Sequence, residues 1–133
     1  MLYIGVDLGT SAVKLLLMDG SGRIHKVVSR EYPLYFPHPA WSEQNPEDWF
    51  TASMDGMKEL TSECDKSQVA GISFGGQMHG LVTLDQADEV IRPAILWNDG
   101  RSEKGDGLPE PGHWKGKAVR LHGQHCLHRL HGP

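Results

Sequence analysis

Leu2-Tyr3-Ile4-Gly5-Val6-Asp7-Leu8-Gly9-Thr10-Ser11-Ala12-Val13-Lys14-Leu15-Leu16-Leu17-Met18 is the stretch on which the fold turns. Leu2 to Val6 is apolar or small and reads as a short strand. Asp7 to Ser11 reads as a turn, and Ala12 to Met18 as a second strand, so the pair is expected to be a hairpin with a small-residue tip. Asp19-Gly20-Ser21-Gly22 is a strong turn signal, and Arg23 to Ser29 continues as the third strand of an antiparallel meander.

Beyond a long Pro- and aromatic-bearing loop from Tyr32 to Gln44, the residues Asn45-Pro46-Glu47-Asp48 announce a helix. They supply an N-cap residue, a proline at the first helical position and acids in the first turn. Trp49, Phe50, Met54, Met57 and Leu60 give that helix an apolar face as far as about Cys64. Val69 to Phe74 is a β-branched strand ending in Gly75-Gly76, and Leu81 to Leu84 and Val90 to Trp97 read as a further strand pair. The order βββ, α, β, ββ predicts an α/β domain with a mixed sheet.

The chain has 133 residues with 38% hydrophobic content, room for one domain or part of a larger one. Its net charge is −4 without a basic stripe, which argues against nucleic acid as the partner. No apolar run approaches the ~20 residues that span a bilayer, so no membrane partner and a cytoplasmic location are expected. Cys64 and Cys126 make neither a disulfide framework nor a CxxC pair and read as reduced thiols.

Composition changes at Arg101. Residues 1–100 carry 7 basic and 14 acidic side chains, whereas 101–133 carry 6 and 3. The last 33 residues also hold five of the eight histidines and no sustained apolar period, so the tail is expected to be irregular. The expected organisation is therefore a folded part at 1–101 and a disordered tail at 102–133.

Three segments could carry chemistry. An acid at the end of a buried strand, followed by Gly9-Thr10-Ser11, gathers backbone N–H groups, two hydroxyls and the Asp7 carboxylate around one point, which suits phosphate and a hydrated Mg²⁺. Lys14, on the next strand, could add positive charge. An ordinary Asx-stabilised hairpin turn is the alternative. Gln77-Met78-His79 follows an apolar strand, where α/β sheets expose ligand loops, and Gln77 and His79 could bond a polyol; a satisfied loop or core histidine is the alternative for His79. Trp97-Asn98-Asp99-Gly100-Arg101 offers an aromatic wall with polar groups, or simply a turn.

Together with Trp41-Ser42-Glu43-Gln44-Asn45-Pro46-Glu47-Asp48-Trp49, these segments in this order resemble the FGGY family of carbohydrate kinases, and within it the xylulokinase group. The resemblance covers residues 2 to 101. It implies an actin-like ATPase (ribonuclease H-like) domain, incomplete in this chain, and phosphorylation of D-xylulose to D-xylulose 5-phosphate with ATP and Mg²⁺; L-ribulose or another ketose stays open. By the same resemblance Asp7 lies near Mg²⁺ and the transferring phosphate, Gly9, Thr10, Ser11 and Lys14 serve the phosphates, and Gln77, Met78 and His79 bind the sugar. Asp99 and Arg101 are weaker assignments to the sugar. Family members are often dimers. The family's catalytic base, an aspartate, belongs to a region after the first domain, so the isolated chain is expected to be inactive; a non-catalytic sugar- or phosphate-binding fragment is the competing reading.

The tail itself reads as a shifted frame. Codons permitted by His122 to Pro133, taken one base later, allow Thr-Gly-Asn-Ile-Ala-Phe-Thr-Gly-Phe-Thr-Ala, which resembles what the family carries at this distance. A one-base change between about codons 101 and 104 accounts for it. The alternative is a genuine metal-binding tail, in which His122, His125, Cys126 and His128 hold Zn²⁺ or Cu²⁺.

Overall fold

The computed structural model describes residues 1–101 and the backbone of 117–120. The chain divides into two units, one of Met1–Tyr32 with Glu47–Gln77, the other of Pro33–Pro46 with the chain from Met78 onward.

In the first unit the expected meander forms: β1 (Leu2–Leu8), β2 (Ala12–Asp19) and β3 (Ile24–Glu31) pair antiparallel. β5 (Val69–Gly76) joins the other side of β1 in parallel, giving a mixed sheet of order β3-β2-β1-β5. Alternation decides the faces. Ile4, Val6, Val13, Leu15, Leu17 and Val28 are buried on one face, while Tyr3, Asp7 and Lys14 are exposed on the other. β1 is longer than its apolar run, because Asp7 and Leu8 still pair with Lys14 and Val13; Asp7 therefore sits in a strand and not in the turn.

Helix α1 (Pro46–Leu60) starts at the expected proline with Glu47 and Asp48 in its first turn. It stops at Leu60, short of Cys64. The Thr61 N–H still donates to the Met57 carbonyl at 3.0 Å, but the Glu59 carbonyl that a continuing helix would use is taken: Ser62 Oγ donates to it at 2.8 Å and Lys26 Nζ to the same oxygen at 2.9 Å. The expected apolar face also needs correction. Trp49, Gly56 and Leu60 are buried, but Phe50 and Met54 are exposed.

The second unit holds a separate sheet of order β4-β7-β6-β8, where a single sheet was expected. Its strands are β4 (Glu43–Gln44), β6 (Leu81–Leu84), β7 (Ala94–Ile95) and β8 (Lys117–Arg120). The strand expected over Val90 to Trp97 reduces to a bridge at Val90 and the short β7, since Pro93 has no N–H for a ladder. Of the tail expected to be irregular and disordered, Lys117–Arg120 instead pair antiparallel with β6, from Leu84↔Lys117 to Leu81↔Arg120. An open strand edge satisfies backbone groups whatever the side chains are. The remaining tail, with its histidines, Cys126 and the codon shift, lies outside the described residues. No helix among the described residues is long and apolar enough to cross a membrane.

Candidate functional site

In the first unit, Asp7 lies opposite Lys14 on β2 and opposite Gly75 on β5. Lateral partners project to the same face, so the carboxylate and the ammonium share the exposed side of the sheet. They line a cleft of about 460 Å³ with Leu16, Val27, Ser73 and Phe74. The Gly9–Ser11 turn closes with the Gly9 N–H donating to the Ala12 carbonyl at 3.0 Å. Tyr32, at the end of β3 and only 7% exposed, donates its hydroxyl to the Gly9 carbonyl. Burial, and then the negative charge of Asp7, push the Tyr32 phenol up to about 12.

β1 and β5 run parallel and finish side by side, and the Gln77 N–H donates to the Leu8 carbonyl at 2.7 Å. Gly76 makes that approach feasible: a Cβ there would stand 2.8 Å from the Leu8 carbonyl oxygen, whereas one at Gly75 would meet nothing within 4 Å. Gly76→Ala is therefore expected to destabilise the protein by about 1–3 kcal/mol through overpacking and to loosen the Gln77–Leu8 bond. Gly75→Ala is the matched control. Urea denaturation of both, with hydrogen exchange at the Gln77 amide, checks this.

In the second unit Met78 and His79 are exposed, and His79 has φ 61°, in the left-handed region. That conformation costs an L-residue roughly 1–2 kcal/mol, and such strain concentrates at functional sites. His79→Gly is accordingly expected to be more stable than His79→Ala by about 1 kcal/mol, read from urea midpoints.

Asp99 and Arg101 meet in a buried cluster. Arg101 Nε and Nη2 donate to Oδ1 and Oδ2 of Asp99, each at 2.7 Å, and Nη2 also donates to Glu43 Oε1 at 2.7 Å. Arg92 Nη2 donates to the same Glu43 oxygen at 2.5 Å, and the Ser42 N–H to Asp99 Oδ2 at 2.7 Å. The guanidinium lies over the Trp41 ring, 3.7 Å from its centroid. Burial works to raise the Asp99 pKa, but bonds from Arg101 and the Ser42 N–H outweigh it and hold the carboxyl below the usual carboxylate range. Burial likewise opposes the charged form of Arg101, and the carboxylates of Asp99 and Glu43 more than restore it.

Asp7, Lys14, the Gly9–Ser11 turn and the Gln77 amide thus belong to the first unit, and Met78, His79, Asp99 and Arg101 to the second. Tyr32 was not anticipated as a partner of the turn; its one signal is that Val28, Arg30 and Tyr32 follow the period of a strand face. Among the described residues no cluster of three or more His, Cys, Asp or Glu could hold a metal ion.

The family model for the FGGY family of carbohydrate kinases, N-terminal domain, matches residues 2–108. A xylulose kinase of Klebsiella pneumoniae is 46% identical over 100 residues, which are 75% of this chain and 21% of that protein. One from Bacillus subtilis is 48% identical over 101 residues, 74% of this chain and 20% of that protein. The crystal structure of a xyloylose kinase from Brucella ovis superimposes with a TM-score of 0.74 at 43% identity, covering 78% of this chain and 22% of that one. The chain therefore spans about a fifth of the length of the curated relatives it matches.

Proposed function

The chain belongs to the FGGY family of carbohydrate kinases, and from that premise we propose that it serves the ATP-dependent phosphorylation of D-xylulose to D-xylulose 5-phosphate. Its α/β architecture with a mixed sheet is that of part of an actin-like ATPase domain. The carrying observation is the end of the first unit's sheet, where an exposed carboxylate, an ammonium and a small-residue turn converge beside the Gln77 amide.

Phosphoryl transfer depends mainly on positioning and charge neutralisation. The Gly9–Ser11 turn lets backbone and hydroxyl groups approach phosphate oxygens, and Lys14 adds positive charge from the neighbouring strand. Asp7 fits Mg²⁺, an ion that keeps several waters and needs only one or two protein carboxylates. When bound, the ion neutralises charge developing on the phosphates. Gln77, Met78 and His79 are the sugar contacts in this reading, and Asp99 and Arg101 hold the turn that follows Trp97. The base that takes the proton of the acceptor hydroxyl is assigned to none of these residues.

Isothermal titration of the 133-residue chain with D-xylulose tests the sugar assignment: sub-millimolar binding abolished by His79→Ala supports it, and no heat refutes it. ATP-dependent ADP release in the presence of D-xylulose separates a kinase from a binding module. L-ribulose, run in parallel, decides the ketose.

A further inference from the structure

Three hydrogen bonds meet at the turn assigned above to phosphate, and one residue makes two of them. Tyr32 donates its hydroxyl to the Gly9 carbonyl and its N–H to the Ser11 carbonyl at 3.2 Å, while the Gly9 N–H closes the turn on the Ala12 carbonyl at 3.0 Å. The ring is 7% exposed, so its two side-chain torsions are fixed by packing and the hydroxyl reaches the turn from inside the unit. The carbonyl it reaches belongs to Gly9, the residue directly after β1, so the tie stands at the end of the strand that carries Asp7.

We propose that Tyr32 is a positioning residue for phosphate binding: it straps both ends of the Gly9–Ser11 turn and so keeps the turn's backbone arranged for a nucleotide phosphate before the nucleotide arrives. Donors aligned in advance lose less freedom on binding than donors on a loose turn. The inference rests on the assignment of this turn to phosphate.

Tyr32→Phe keeps the ring and removes only the hydroxyl. In the free 133-residue chain it is expected to speed hydrogen exchange at the Gly9 and Tyr32 amides while leaving the mid-strand amides of Ile4 and Leu15 unchanged. Titration with Mg·ADP, followed by the amide signals of Gly9, Thr10 and Ser11, is then expected to give an affinity weaker by on the order of fivefold, the equivalent of one hydrogen bond. The thermal midpoint is measured alongside. Exchange that is unchanged, or that rises equally everywhere, overturns the strap. A local rise in exchange with unchanged Mg·ADP affinity overturns the positioning role and leaves Tyr32 a structural tie. Wild-type protein whose 9–11 amides ignore Mg·ADP overturns the phosphate assignment itself, and the role with it, while the exchange result still reports whether the strap exists.

Discussion

Arg101→Ala is expected to destabilise the second unit by about 3–5 kcal/mol, toward the lower end, because it removes one partner of a buried ion pair and leaves the other behind. The Arg101 side chain is 1% exposed and that of Asp99 2%. Without the guanidinium, Asp99 keeps only the backbone N–H groups of Ser42 and residue 101, whereas Glu43 keeps Arg92 at 2.5 Å. Asp99 is therefore the stranded charge. Arg101→Lys preserves the charge but not the fork that meets both Asp99 oxygens or the flat face over Trp41, so it recovers only part of the loss. Urea denaturation followed by amide signals of the second unit separates the three proteins, and wild-type stability in Arg101→Ala would contradict the cluster as described.

The same cluster sets a pH response. The folded-state pKa of Asp99 is depressed, so its contribution is complete above the unfolded value of ~3.9 and is lost as pH falls through the folded value. In Arg101→Ala the depressing partner is gone while burial still raises the pKa. Acid unfolding should then begin at a higher pH than in the wild type. Carbon-13 titration of the Asp99 carboxyl reports the shift directly.

Local pattern carried the meander, the start of α1 and the parallel strand ending in Gly75-Gly76, because each is written in consecutive residues: alternation, a proline with acids, glycines at a strand end. It failed where distant residues decide. The Glu43–Arg101 and Glu43–Arg92 bonds join residues 58 and 49 positions apart, so nothing near Glu43 announces its partners. Asp99 and Arg101 stand two positions apart, yet the third member of their cluster, Glu43, is nowhere near their motif in the sequence. Helix α1 stops short of Cys64 because the Glu59 carbonyl is taken by Ser62 and by Lys26, and Lys26 lies 33 positions away, outside any local period. The burial of Gly56 left no trace in hydrophobicity, since what recommends it is an absent side chain.

That absent side chain has a measurable partner. Leu15 on β2 is 0% exposed, and a Cβ added at Gly56 on α1 would stand 2.5 Å from Leu15 Cδ1. Leu15→Ala alone is expected to cost about 2–5 kcal/mol, the lost transfer energy plus the cavity. Gly56→Ala alone sets two effects against each other: helix propensity favours alanine by about 1 kcal/mol, and overpacking costs about 1–3 kcal/mol, so the net change is destabilising or near zero. In the double variant the clash disappears with the leucine methyls, and the new methyl enters the space they leave. Gly56→Ala should then stabilise the Leu15→Ala background, by about 1 kcal/mol from propensity and more if the cavity shrinks. The double-mutant cycle must therefore show a favourable coupling between the two sites. Additive changes would mean that α1 moves away from β2 to admit the extra methyl, and that Gly56 does not fix how closely the helix lies on the sheet.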